Sequence, residues 1–191
     1  MRASISLPTL LIAALLTFPA TLRGDVGQTP VDIAKEYTRL CKSGGVSDAV
    51  VQYWDFATLL EIICKDDLDR YSPREKAAMS GMLREAVRQI MSNPQVASEM
   101  KKASFDNFEQ KPMAPTVTAV RFIATFSNGK SVSNTYIFER PEDGGSWRIV
   151  NAACNGGPMV GAGLRGSYLE SKLPPLEFFK GLLQAQAAAQ P

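Results

Sequence analysis

Residues 120–160, VRFIATFSNGKSVSNTYIFERPEDGGSWRIVNAACNGGPMV, decide the fold. Val120, Phe122, Ala124 and Phe126 fall on one side of an extended chain, and Val132, Tyr136 and Phe138 on one side of the next. Alternation with period two marks half-buried strands. The turn between them sets the register. A two-residue Asn128-Gly129 turn pairs even positions with odd ones and throws the two apolar sets onto opposite faces. A three-residue loop, Ser127-Asn128-Gly129 with Gly129 left-handed and a bulge, pairs position 126 with 130 and returns both sets to one face. The bulged loop is therefore predicted. A third strand starts at Trp147 and runs to about Cys154, after the exposed acid- and glycine-rich turn Pro141-Glu142-Asp143-Gly144-Gly145. A preceding edge strand is expected near Phe105 to Gln110.

Upstream of the strands the chain reads as helices. Thr29-Pro30 places a cap before a first-turn proline, and Val31, Ala34, Tyr37-Thr38 and Cys41 follow before Gly44-Gly45 ends the pattern. Ser47 caps a second short helix through Val51, and Asp55 a third carrying Phe56, Leu59, Leu60 and Ile63 on one face. The connection Lys65-Asp66-Asp67 to Tyr71 is polar. Ser72-Pro73-Arg74-Glu75 joins a cap, a proline and a glutamate three residues after the serine, so a long helix begins there and continues to about Ser92. Met79, Met82, Leu83, Ala86, Val87, Ile90 and Met91 make its apolar face. Asn93-Pro94 opens another short helix to about Lys102. After the strands, Gly156-Gly157-Pro158 breaks the sheet, Met159 to Leu169 forms a short helix or loop, and Pro174-Pro175 starts a final helix. The alanine-rich stretch from Ala185 to Pro191 is expected to fray. Helices, then three or four antiparallel strands, then a helix give an α+β layer fold, a curved antiparallel sheet whose concave face is covered by helices.

The composition removes several chemistries. With His 0 in 191 residues, Ser-His-Asp and Cys-His systems and imidazole-ligated zinc are excluded. Cys41, Cys64 and Cys154 are widely spaced and cannot complete a thiolate zinc or iron–sulfur site, so no metal and no cofactor are expected. No nucleotide-binding or nucleophile-elbow motif is present. Any remaining chemistry rests on Asp, Glu, Lys or Tyr.

The start of the chain reads as an export signal. Arg2 supplies the positive end, and the apolar run Leu7 to Phe18, broken by Pro8, is short for a membrane span. Cleavage is expected after Gly24, with Ala20 the competitor and an uncleaved N-terminal anchor the alternative. The expectation is a signal over 1–24, one domain over 25–191, and a periplasmic or secreted location. Removing Arg2 and Arg23 takes Lys+Arg from 21 to 19, equal to the 19 acids, and a neutral chain is a poor nucleic-acid binder. An oxidising compartment permits one disulfide, for which Cys41 to Cys64 is favoured because both fall in N-terminal helices, leaving Cys154 free and buried at a strand end.

Several short motifs carry a resemblance. Tyr53-Trp54-Asp55-Phe56 entering a helix, Arg70-Tyr71-Ser72-Pro73 opening the long one, and Ser127-Asn128-Gly129-Lys130 in the hairpin look like the toluene-tolerance/MlaC family. So do Trp147-Arg148-Ile149-Val150-Asn151, Asn155-Gly156, and Met159-Val160 before Arg165 and Tyr168. Two departures stand out: Asn151 and Asn155 occupy positions where that family has acids, and Gly157-Pro158 replaces a Val-Ser-like step. The resemblance implies an NTF2-like fold and a periplasmic phospholipid carrier. Its implied partners are an inner-membrane ABC-type lipid transporter complex and an outer-membrane lipoprotein complex.

On that reading acyl chains occupy an apolar slot between the sheet and the long helix, with the headgroup in solvent. The expected lining is Leu60, Ile63, Met82, Leu83, Ala86, Ile90, Val120, Phe122, Tyr136, Phe138, Ile149 and Met159, with Arg165 near a phosphate at the mouth. Each lining residue has plain core packing as its alternative. Two other classes compete. An exported enzyme using Asp and Tyr needs a carboxylate inside the slot, where the strands offer Tyr136 and no acid. A secreted interaction or dimerisation module needs an exposed apolar face.

Overall fold

A computed structural model describes residues 27–43 and 48–188, and the signal over 1–24, Gly44-Gly45 and the Ser47 cap lie outside them. Four antiparallel strands, β1 (Ser104–Ala114), β2 (Val117–Thr125), β3 (Ser131–Glu139) and β4 (Arg148–Cys154), form one sheet in sequence order. The β2–β3 connection is the predicted bulged loop: Phe126 N donates to Lys130 O and Gly129 N to Phe126 O, both at 2.9 Å, with Gly129 at φ +78°. Val120 consequently faces Tyr136, and Ala124 faces Val132. The apolar sets of both strands share the inner face. A register shift at Ile137/Phe138 then sets Phe138 opposite Ile149. Beyond β4 the sheet is closed by Tyr53–Asp55, where Asp55 N donates to Ile149 O at 2.9 Å and Ile149 N to Tyr53 O at 2.8 Å.

Seven α-helices surround the sheet among the described residues: α1 (Pro30–Lys42), α2 (Asp48–Val51), α3 (Phe56–Cys64), α4 (Pro73–Ser92), α5 (Pro94–Lys102), α6 (Val160–Ser171) and α7 (Pro175–Ala188). A 3-10 turn, Lys65–Arg70, links α3 to α4. The caps do what the sequence implies. Thr29 and Asp32 bond reciprocally at 3.2 Å, Asp55 accepts from Ala57 N and Thr58 N at 3.0 Å, and Ser72 and Glu75 close a capping box. Each satisfies amides that the first helical turn leaves without a partner.

The apolar residues gather in two clusters. In the helical one, Leu59, Leu60, Ile63, Met79, Leu83 and Phe179 of α3, α4 and α7 are sealed from solvent. In the other, Ile33, Ala34, Tyr37 and Cys41 of α1 pack on Val120, Phe138 and Ile149 of the sheet. α1 packs on β1 and β2, whereas α4 packs mainly on α3, α5 and α7. Among the described residues of the long helix, Met91 at its end is the one that packs against the sheet cluster.

This division overturns the expected disulfide. Cys41 belongs to the sheet cluster and Cys64 to the helical one, and both are free thiols, pushed up to about 12 and about 11 chiefly by burial. Cys154 is also free, yet exposed rather than buried, because β4 ends there and its thiol bonds Asn134 Oδ1 at 3.2 Å. No helix among the described residues is long and apolar enough to cross a membrane.

Candidate functional site

An unbroken run of aromatic rings crosses the inner face of the sheet. Phe105 and Phe108 of β1 meet Phe122 at centroid distances of 6.1 and 5.1 Å, and Phe122 meets Tyr136 edge-on at 5.0 Å. Tyr136 touches Tyr37 at 5.5 Å and Trp54 at 6.3 Å, and Trp54 stacks on Phe56 at 6.1 Å. The run starts at the free edge of the sheet and ends in the helical cluster. Its first step depends on Asn107, whose φ of +54° accompanies a register shift between Asp106 and Glu109. Unbroken alternation from Phe105 turns Asn107 inward; the bulge turns Phe108 inward instead.

At the centre of the run lies a polar knot. Trp54 Nε1 donates to Tyr37 Oη at 3.4 Å, and Tyr136 and Cys41 pack beside Tyr37. Burial pushes both tyrosine hydroxyls well above their ordinary range, with Cys41 the next contributor at Tyr37 and Tyr37 the next at Tyr136. No carboxylate among the described residues contributes to it. The arrangement holds α1, the Trp54 segment and β3 together.

Half-buried apolar side chains border the sheet cluster. Val31 of α1, Met91 at the end of α4, Met100 of α5 and Phe108 of β1 are half-buried against it. α5 buries none of its residues. Together α1, α5 and β1 form a half-buried apolar margin beside the aromatic run.

The expected lining divides between the clusters. Leu60, Ile63 and Leu83 are buried in the helical one, with Met82 half-buried at its margin and Ala86 buried on the same helix as Leu83. Val120, Phe138 and Ile149 are buried in the sheet cluster, with Phe122 and Tyr136 in the aromatic run. Met159 is half-buried at the start of α6, and the side chain of Ile90 lies outside the described residues. Arg165 turns inward: its Nη1 donates to Ile63 O at 3.0 Å, satisfying a carbonyl at the end of α3. Beside it Tyr168 Oη donates to Asp67 Oδ2 at 2.7 Å, and this bond, then Arg70, holds the Asp67 carboxyl below the usual range. A surface pocket of about 320 Å³ is lined by Arg70, Tyr168, Leu169, Lys172, Leu173, Pro174 and Pro175, on the helical side of the molecule. Among the described residues no three His, Cys, Asp or Glu side chains are grouped to hold a metal ion.

Sequence reasoning missed the aromatic partners Tyr37, Tyr53, Phe105 and Phe108. Two phenylalanines three apart in a strand, with asparagine before the second, were the available signal for an edge bulge.

This architecture is shared with a solved protein. The chain is similar in fold to a phospholipid-binding protein from Ralstonia solanacearum, determined in complex with a phospholipid. The two align with a TM-score of 0.64 and 12% identity, over 81% of this chain and 94% of that one. Six chains of solved structures match. No protein-family model matches the sequence, and no curated protein does. The likeness is one of fold, and it agrees with the α+β layer arrangement that the sequence implies.

Proposed function

We propose that this protein is an exported, non-enzymatic phospholipid carrier. Acyl chains enter at the mouth framed by α1, α5 and β1 and lie against the aromatic inner face of the sheet, with the headgroup in solvent. The observation that carries the reading is the fold shared with a protein solved holding a phospholipid, over nearly the whole of that chain. Half-buried apolar side chains of α1, α5 and β1 beside the aromatic run are consistent with it. Burial of each methylene contributes about 0.8 kcal/mol, so a few carbons of each tail suffice for useful affinity without a charged anchor. We further propose that it works in the periplasm between an inner-membrane ABC-type lipid transporter complex and an outer-membrane lipoprotein complex, as the family resemblance implies. Native mass spectrometry of the mature protein, expressed with its own leader, tests the carrier reading. Adducts of phospholipid mass are expected, and a uniformly lipid-free protein that also takes up nothing from vesicles overturns it.

One observation favours a second reading, a secreted interaction module. Val160, Leu169 and Leu173, on and just after α6, are three of the four exposed large hydrophobics among the described residues. A lipid-free protein that forms a defined oligomer through α6 would support it.

A further inference from the structure

We infer that Lys35 gives the mouth a preference for amphiphiles whose head carries a net negative charge. The inference rests on the carrier reading and adds the class of cargo selected. Lys35 stands on α1 with its Nζ 5.9 Å from the centroid of the Phe108 ring. Phe108 stands with Phe105 on the edge strand where the aromatic run starts, and is stacked on Phe122 within 18° of parallel. It faces inward only because of the bulge at Asn107. A chain lying on Phe108 therefore brings its head beneath an ammonium group.

The charges around the mouth are sorted by face. Asp106 pairs with Ile123 and Glu109 with Arg121, positions on the outer face of β2, so the acids of β1 point away from the mouth. On α1, Glu36 is engaged by Arg39 at 2.6 Å and Asp32 by Thr29 Oγ1 at 2.6 Å. Lys35 forms no ion pair among the described residues. α5, which packs beside α1, adds Lys101 and Lys102 in its last turn against one acid, Glu99. An exposed ammonium over an aromatic face is held in place weakly and keeps its hydrogen-bond donors for an anion. Arg165, bonded to Ile63 O, is committed elsewhere.

The experiment offers wild-type protein vesicles of phosphatidylglycerol and phosphatidylcholine in equal amounts, then reads the bound lipids by native mass spectrometry. Wild type is expected to be enriched in the anionic lipid. Lys35→Met, which keeps the apolar stem, lowers the ratio by about two- to fivefold, while Lys35→Arg keeps it. Raising the salt lowers the wild-type ratio as well. Lipid uptake with a wild-type ratio in Lys35→Met overturns the inference and leaves the carrier reading standing. Wild type without any uptake overturns both. A chainless glycerophosphate that displaces bound lipid at equal concentration also overturns it, since the site then reads a free anion.

Discussion

Among the described residues the helical cluster has twelve buried members and seven half-buried ones against it, and the sheet cluster has eight and nine. The difference follows from geometry. A helix about 10 Å across covers about two strands spaced at about 4.8 Å, so a four-stranded sheet needs two helices side by side to close one face. Here α1 lies over β1 and β2, and the long helix α4 turns to α3 and α7 instead of taking the second place. Aromatic side chains from Tyr53 to Phe56, with Tyr136, fill part of the remaining area. A core wrapped by helices on several sides seals itself, while the sheet takes α1 on β1 and β2 and α3 and α6 on β4, and more of the apolar side chains packed on it stay half-buried.

Changes in the sealed cluster should cost most. Phe179→Ala, at a position without solvent exposure, should lower stability by about 3–5 kcal/mol in chemical denaturation, because the surrounding helices cannot close the cavity. A loss below 1 kcal/mol would mean this cluster is as yielding as the sheet side. Gly161→Ala should cost about 1–3 kcal/mol, since a Cβ there lies 2.6 Å from Ile62 Cγ2 and 3.3 Å from Leu59 Cδ1. Because Gly161 N also donates to Asn151 Oδ1 at 3.0 Å, the damage should spread to the junction of α6 with β4, seen as faster amide exchange there.

A smaller effect comes with pH. Cys64 is raised to about 11 from an ordinary thiol value of 9.0. The folded state therefore holds a proton that the unfolded state releases, and the contribution is whole below pH 9 and lost as pH rises toward 11. At pH 10 this amounts to about 1 kcal/mol, so wild type should lose that much more between pH 8 and pH 10 than Cys64→Ala does. Equal slopes would place the thiol in water. The last pair separates the clusters by function. Met91→Trp at the mouth should cost under about 1 kcal/mol yet reduce lipid occupancy, whereas Met82→Trp at the margin of the helical cluster should cost about 1–3 kcal/mol and leave occupancy unchanged. The reverse pattern, read by mass spectrometry and thermal unfolding, would move the lipid into the helical side.

Much of the fold was legible in the residues. The strands, their shared inner face and the bulged loop at Gly129 follow from a period of two and from the few backbone shapes a short turn allows. Helix starts at Thr29, Asp55 and Ser72 follow from side chains that bond amides within three residues. These are local properties, and the chain decides them before anything packs. The candidate site was less legible. Phe108 faces inward through a single left-handed asparagine, and Tyr37 and Trp54 meet across 17 residues. Neither leaves a periodic trace.

Which faces meet was settled only in three dimensions. The apolar stripe of α4 announced that it would be buried but not against what, so the sequence placed it over the sheet and the fold placed it among helices. Cys41 and Cys64, both in N-terminal helices, ended in different clusters, and Arg165 ended on a carbonyl of α3. The physical reason is that hydrophobic burial has no direction: it rewards removing area from water whichever apolar surface supplies the cover. Periodicity and capping therefore fix the elements and their buried sides, while the choice of partner, and with it the half-buried margin beside α1, depends on how all the elements fill space at once.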